Sequence, residues 1–133
     1  MTFALGQHSI DKLVGVHPDL VAVVKLANTI SKVDFSVVQG LRSASDEADM
    51  VKKHASTTMH SRHLAGKSGF ACAVDCAAFV NGQIAWEPLA LYAQINDAMQ
   101  AAAKALRVPV AWGGAWAKFK DFDHWELSWS AYP

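Results

Sequence analysis

Net charge, long apolar runs and cysteine are all scarce in this 133-residue chain, and each scarcity excludes something. Twelve Lys and Arg balance twelve Asp and Glu, giving a formal charge of zero. No basic surface field argues for a polyanion, so nucleic acid is not expected as a partner. No segment approaches the ~20 continuous apolar residues of a membrane span, so no stable membrane association is expected. The start, Met1-Thr2-Phe3-Ala4-Leu5-Gly6-Gln7-His8, lacks the basic residues and long apolar core of a secretory signal. Synthesis and retention in the cytoplasm are therefore expected. Cys72 and Cys76 are the only cysteines. On one strand their Cα atoms would lie ~13 Å apart, well beyond the ~7 Å a disulfide tolerates. They are expected as free, buried thiols of a reducing compartment. No repeat, low-complexity run or Pro/Gly/Ser-rich linker divides the sequence, so a single domain over residues 1–133 is expected, acting as a monomer. At this length a chain buries roughly two thirds of its unfolded surface.

The apolar pattern predicts an α+β fold, with a central antiparallel sheet flanked by helices. Asp11 to Val16 and Pro18 to Ser31 read as helices. The second carries Leu20, Val23, Val24, Ala27 and Ile30 on one stripe, with Pro18 well placed in a first turn. Val33 to Val38 reads as a strand ending before Gly40. Ser43 or Ser45 is expected to cap a short helix, with Asp46 and Glu47 in its first turn. A polar loop then leads to the apolar run Ala71 to Val80, the expected central strand. Asn81-Gly82 is the strongest turn signal in the chain, with Gln83 to Trp86 as the return strand. Pro88 to Leu106 places Tyr92, Ile95, Met99, Ala102 and Leu106 at helical spacing. Val108 to Trp112 and His124 to Ser128 complete the sheet.

Against this background three stretches stand out: Ser61-Arg62-His63, Ala73-Val74-Asp75 and Asp121-Phe122-Asp123-His124. They supply two imidazoles, a carboxylate and a spare carboxylate. Imidazole nitrogen and a single carboxylate oxygen suit Zn²⁺, and three protein ligands leave a fourth position open for hydrolytic chemistry. Asp75 interrupts an otherwise apolar strand. A buried carboxylate costs several kcal/mol unless something compensates it, and a cation is the simplest answer. Strand alternation puts His124 and Glu126 on one face, so Glu126 is a candidate to orient the imidazole. Asp121, on the incoming turn, can curl over the metal, whereas Asp123 is expected to project away from His124 if the strand has already begun there. Trp112 and Trp116 around Gly113-Gly114 are candidates to wall a peptide cleft, with Trp86 and Trp129 expected in the core. Arg62 is expected as a surface or loop-anchoring charge, and His60 as a residue beside the site or in solvent.

The ordered set Ser61-Arg62-His63-Leu64-Ala65-Gly66, Ala73-Val74-Asp75, Trp112-Gly113-Gly114 and Asp121-x-x-His124 resembles the D-alanyl-D-alanine carboxypeptidase-like zinc peptidases. Within that group it most resembles the small L-alanyl-D-glutamate endopeptidases used as phage endolysins, from about Gly40 to the C-terminus. The resemblance implies zinc held by His63, Asp75 and His124 at the sheet edge, with Asp121 as base. It also implies Ser61 beside the first ligand, and Arg42 as the cation that steadies the oxyanion or binds a substrate carboxylate. The substrate implied is the peptidoglycan stem peptide, reached in host-cell lysis after release by a separate membrane-permeabilising protein.

Two departures bear on specificity. Lys67 to Cys72 lengthen the gap between His63 and Asp75, and Ala115 stands where an aspartate is frequent in the family. Two alternatives stay open at this point. One is a D,D-carboxypeptidase or dipeptidase acting on D-alanyl-D-alanine, and the other is a non-catalytic wall-binding zinc domain. Retention of Asp121 argues against the second, because a structural site needs no base and tends to close its fourth position.

Overall fold

The computed structural model describes residues 2–43, 61–117 and 120–133. Its first helix, α1 (Gln7–Lys12), lies earlier than the pattern predicts. Gly15, at φ +86°, takes a left-handed conformation that suits glycine, so the helix cannot run on to Val16. Val16 instead bridges to Ala71. Helix α2 (Pro18–Ile30) opens as expected: Pro18 fills the first turn and the His17 side chain accepts the Asp19 backbone N–H. Its Leu20, Val23, Val24 and Ala27 are fully buried, while Ile30, at the helix end, is 49% exposed.

Strand β1 (Phe35–Gln39) begins two residues later than predicted. Val33 is taken up in a local exchange, with Ser31 Oγ donating to its carbonyl. The long central strand β2 (Ala73–Val80) turns at Asn81-Gly82 into β3 (Gln83–Ala85). Helix α3 (Ala90–Leu106) follows, ending at Arg107 in the left-handed region. Then come β4 (Val110–Trp112), a 3-10 turn (Gly113–Ala115) and β5 (His124–Leu127). The described strands form one antiparallel sheet ordered β1-β2-β5-β4, with β3 also paired to β2. No helix among the described residues is long and apolar enough to cross a membrane. The helix expected after Ser43, with Ser45, Asp46 and Glu47, lies outside the described residues, as does His60.

One face of the sheet makes the core. Val74, Cys76 and Ala78 of β2 join Trp125 and Leu127 of β5 against α2 and the Tyr92, Ile95, Met99 and Ala102 stripe of α3. Each such side chain removed from water stabilises by roughly 1.5–3 kcal/mol before chain entropy is counted. Polar side chains inside are paired. Tyr92 Oη accepts from Ala78 N and donates to Ala85 O, and Trp125 Nε1 donates to Asn96. Both cysteines are free and buried, as expected. Trp86 and Trp129 are not core residues, being 53% and 55% exposed. The first stacks on Tyr92 and the second covers the Arg62 guanidinium. Nor is Arg62 a surface charge: it is buried and donates to the carbonyls of Leu127 and Tyr132.

The C-terminus is tied down by Tyr132, whose hydroxyl donates to Asp19 at 2.6 Å. That bond, with some burial, pushes the phenol up to about 12 from its ordinary 10. The fold holds the neutral phenol, so this stabilisation stands below pH 10 and is lost as pH rises through about 12. Tyr132→Phe should cost about 1 kcal/mol of stability, the usual net worth of a hydrogen bond, because solvent screens this partly exposed contact to a charged group. Thermal melts near neutral pH check the cost, and ultraviolet titration of wild type against the variant checks the phenol. A phenol lost at ordinary pH in that difference would rule the contact out.

Candidate metal centre

Register places the first two site residues. Asp75 pairs directly with His124 across the β2–β5 ladder, and Ala73 pairs with Glu126. All four side chains rise from the face opposite the core, and the small Ala73 leaves room beside Glu126. The pair lies where β5 begins, on the two middle strands of the sheet. The expected position at the sheet edge is thus corrected to the end of the central ladder.

His63 arrives from the loop before β2. Ser61 Oγ accepts the His63 backbone N–H at 3.1 Å, which shapes the turn carrying the imidazole. Two further bonds fix that loop to the scaffold: Arg42 N donates to His63 O, and Cys72 N donates to Arg62 O. The result is a close convergence. His63 Nε2 lies 3.2 Å and His124 Nδ1 3.1 Å from the same oxygen, Asp75 Oδ1. The two rings meet edge to face with centroids 5.1 Å apart.

The far nitrogens decide what these groups can do. His63 Nδ1 donates to Gly40 O at 2.8 Å, and His124 Nε2 donates to Glu126 Oε1 at 2.8 Å. Each bond fixes a tautomer that leaves the near nitrogen's lone pair for a cation. One donor atom from each of His63, Asp75 and His124 lies within 4.8 Å of the others. An N₂O set with acceptors behind both imidazoles fits a divalent metal such as zinc.

Electrostatics agree with that fit. Burial alone would raise the Asp75 carboxyl, but hydrogen bonds from His124 and His63 outweigh it and hold the group well below the usual carboxylate range. Burial likewise opposes charge on His124, yet Asp75 and Glu126 push it up to about 9. The site favours positive charge, whether a proton or a metal ion carries it.

Nothing in the sequence pattern marks the Gly40 carbonyl as a partner of His63. A Cβ on Gly40 would stand 2.2 Å from Lys12 O and 2.8 Å from Val16, so only glycine lets the chain pass. Upstream, the β1–β2 register shifts between Val37 and Gln39, a bulge of the kind that re-aims backbone beside a site.

Arg42 is buried, its guanidinium 4.0 Å from Asp75 Oδ2. Asp121 is also near, and so is Asp123: their carboxylates and that of Asp75 come within 4.8 Å of one another. The condition under which Asp123 would project away from His124 is not met. β5 starts only at His124, and Phe122-Asp123 form a turn, so strand alternation does not reach back that far. Burial, then the hydrogen bond with Asp121 and the nearby Asp75 charge, push the Asp123 carboxyl up to about 8.

Trp116 lies against the metal-type histidine, its ring centroid 5.2 Å from that of His124. Trp112 instead donates its indole N–H to Phe122 O at 2.8 Å. The long loop before β2 folds back on itself through Gly66 N to Phe70 O, and Phe70 packs on His17.

Comparison with known proteins follows the same lines. A family model described as phage L-alanyl-D-glutamate peptidase matches residues 1–128. The L-alanyl-D-glutamate peptidase of Escherichia phage T5 is 30% identical over 135 residues, spanning 99% of this chain and 94% of that protein. The crystal structure of the Serratia marcescens L-Ala D-Glu endopeptidase ChiX superposes with a TM-score of 0.89 at 40% identity, covering 99% and 95% of the two chains.

Removing the negative charge behind His124 tests the site without touching a donor atom. Glu126→Gln should weaken divalent-metal binding 10- to 100-fold, as loss of a carboxylate behind a ligating histidine does elsewhere. Competition with a chromogenic chelator measures this. Wild-type affinity in the variant would detach Glu126 from the metal centre.

Proposed function

This chain belongs to the phage L-alanyl-D-glutamate peptidase family, and we propose that it hydrolyses the L-alanyl-D-glutamate bond of peptidoglycan stem peptides as a zinc-dependent endolysin. The observation that carries the zinc assignment is the convergence of His63 Nε2 and His124 Nδ1 on one Asp75 oxygen, with both far nitrogens already engaged. His63, Asp75 and His124 would hold the ion. When bound there, zinc supplies Lewis-acid activation of water and of the scissile carbonyl.

The remaining residues handle protons and charge. Asp121 takes the proton of the attacking water and returns it to the leaving amine of D-glutamate. Arg42 stays charged at any working pH. From its buried place beside Asp75 it stabilises the negative charge that develops on the carbonyl oxygen, or receives a carboxylate of the substrate. Glu126 holds the His124 tautomer and Ser61 the His63 turn. Recognition and catalysis share one domain, which works as a monomer and acts on the wall once released from the cytoplasm. The family model, the phage T5 enzyme and the Serratia structure carry the L-alanyl-D-glutamate description over nearly the whole chain, which favours that bond over the D-alanyl-D-alanine alternative.

Digestion of purified Gram-negative-type peptidoglycan by the zinc-loaded protein should expose new N-terminal D-glutamate, read by mass spectrometry. Released D-alanine in its place would overturn the bond assignment. Asp121→Ala should keep stoichiometric zinc yet lose at least ~10²-fold in turnover, the usual worth of a general base. His63→Ala should lose the metal itself, and tight zinc binding in that variant would show the ligand set to be wrong.

A further inference from the structure

The Trp112-Gly113-Gly114 segment lies beside the site without contributing a ligand. Its contacts run to the turn that carries Asp121. Gly113 O accepts the Asp121 backbone N–H at 3.1 Å, and Trp112 Nε1 donates to Phe122 O at 2.8 Å. The turn closes on itself through His124 N to Asp121 O, and its far side is held by Cys76 N donating to Asp123 O. Consecutive peptides of the turn are therefore fixed, two from the β4 side and one from β2.

Steric contacts reinforce these bonds. A Cβ on Gly113 would fall 2.3 Å from Asp121 O and 3.0 Å from Asp121 Cβ. Any other residue there must push Asp121 away. Gly114 lies flat against the indole, where a Cβ would come within 2.3 Å of Trp112 Cζ2. The same indole stacks on Trp125 at 6.3 Å and meets Phe122 at 6.0 Å. Its nitrogen, one face and an edge are all engaged inside the protein. That leaves it poorly suited to wall a cleft and well suited to hold a turn.

We propose that Trp112 and Gly113 are positioning residues that set the place of the Asp121 carboxylate, a role that rests on the reading of Asp121 as the base. Proton transfer demands hydrogen-bond reach, and a displacement of ~1 Å in a reacting group can cost ~10²-fold in rate. Trp112→Phe keeps an aromatic ring but deletes the N–H that fixes Phe122 O, together with the outer ring carbons that lie against Gly114. Its effect should fall on the chemical step.

The test is a double-mutant cycle on zinc-loaded protein, with KM and kcat measured for W112F, D121A and the double variant, at raised enzyme concentration for the slow ones. W112F should retain stoichiometric zinc and KM within about twofold while kcat falls at least ~10-fold. In the D121A background W112F should change kcat by less than about twofold, because the group it positions is gone. An equal loss in both backgrounds would overturn the proposal and leave the base assignment standing. So would a raised KM at unchanged kcat, the signature of a cleft wall. A fully active D121A would overturn the base assignment and this role with it. Should W112F lose its cooperative melt, Gly113→Ala reads the same coupling, with the same non-additivity expected and simple additivity fatal.

Discussion

A carboxylate oxygen approached by two imidazole nitrogens within 3.2 Å is stable in a half-buried place only where positive charge sits between the three. Asp75 is 17% exposed at its side chain, too little for water to meet its charge. Desolvation of a lone carboxylate there would cost several kcal/mol. The surrounding chain compensates by concentrating donors and cation-compatible groups on one oxygen. Much else in the site follows from that demand, including the engagement of both far nitrogens, by Gly40 and by Glu126. Without those acceptors each ring could turn its N–H toward Asp75 and bind it as a neutral pair. With them, the inner nitrogens are left to take either a proton or a metal ion, and the cluster calls for a cation.

The demand is met by backbone features as much as by side chains. Asp75 and His124 face each other because of a single register choice in the β2–β5 ladder, and a slip of one residue would turn both into the core. Gly40 can present its carbonyl to His63 because the bulge after Val37 re-aims β1 and because no Cβ obstructs its passage by Lys12. A substitution at Gly40 would meet backbone, which cannot step aside as a flexible side chain can. Gly113 stands in the same relation to Asp121. Two glycines thus do for the acceptor of one histidine and for Asp121 what rotamer choice could not.

Much of this was legible in the sequence, for identifiable reasons. Long periodic segments announced α2, β2 and α3, and the interruption of an apolar strand by Asp75 marked the site. Alternation from His124 put Glu126 on the same face, where it accepts from the ring. The failures are equally physical. Gly15 broke the first helix where apolar spacing ran on. Where β5 begins is not visible in the pattern, and because it starts only at His124 alternation says nothing of Asp123. Trp86 and Trp129 were assigned to the core by hydrophobicity alone, but each has a polar or aromatic side chain to cover and remains half exposed. Backbone acceptors such as the carbonyls of Gly40 and Phe122 leave no trace in side-chain pattern, because their part depends on where two distant stretches meet.

Arg62 shows how far the constraint reaches. Next to a ligand, its side chain leaves the site altogether and donates to Leu127 O at 3.0 Å and Tyr132 O at 2.6 Å, lying 3.8 Å from the Trp129 ring centroid. A guanidinium so placed is the neighbour of His63 in sequence and the anchor of the C-terminal segment in space. That segment is fastened in turn to α2 through Tyr132 and Asp19, next to His17, which takes the Ala71 carbonyl just before β2. The path from α2 through the C-terminus to the His63 loop and back to β2 is closed. Closure of this kind lowers the entropy the loop could otherwise spend in moving His63 away from Asp75. The C-terminal residues accordingly belong to the framework of the His63–Asp75–His124 cluster, although none of them lies near its atoms in sequence except through β5 itself.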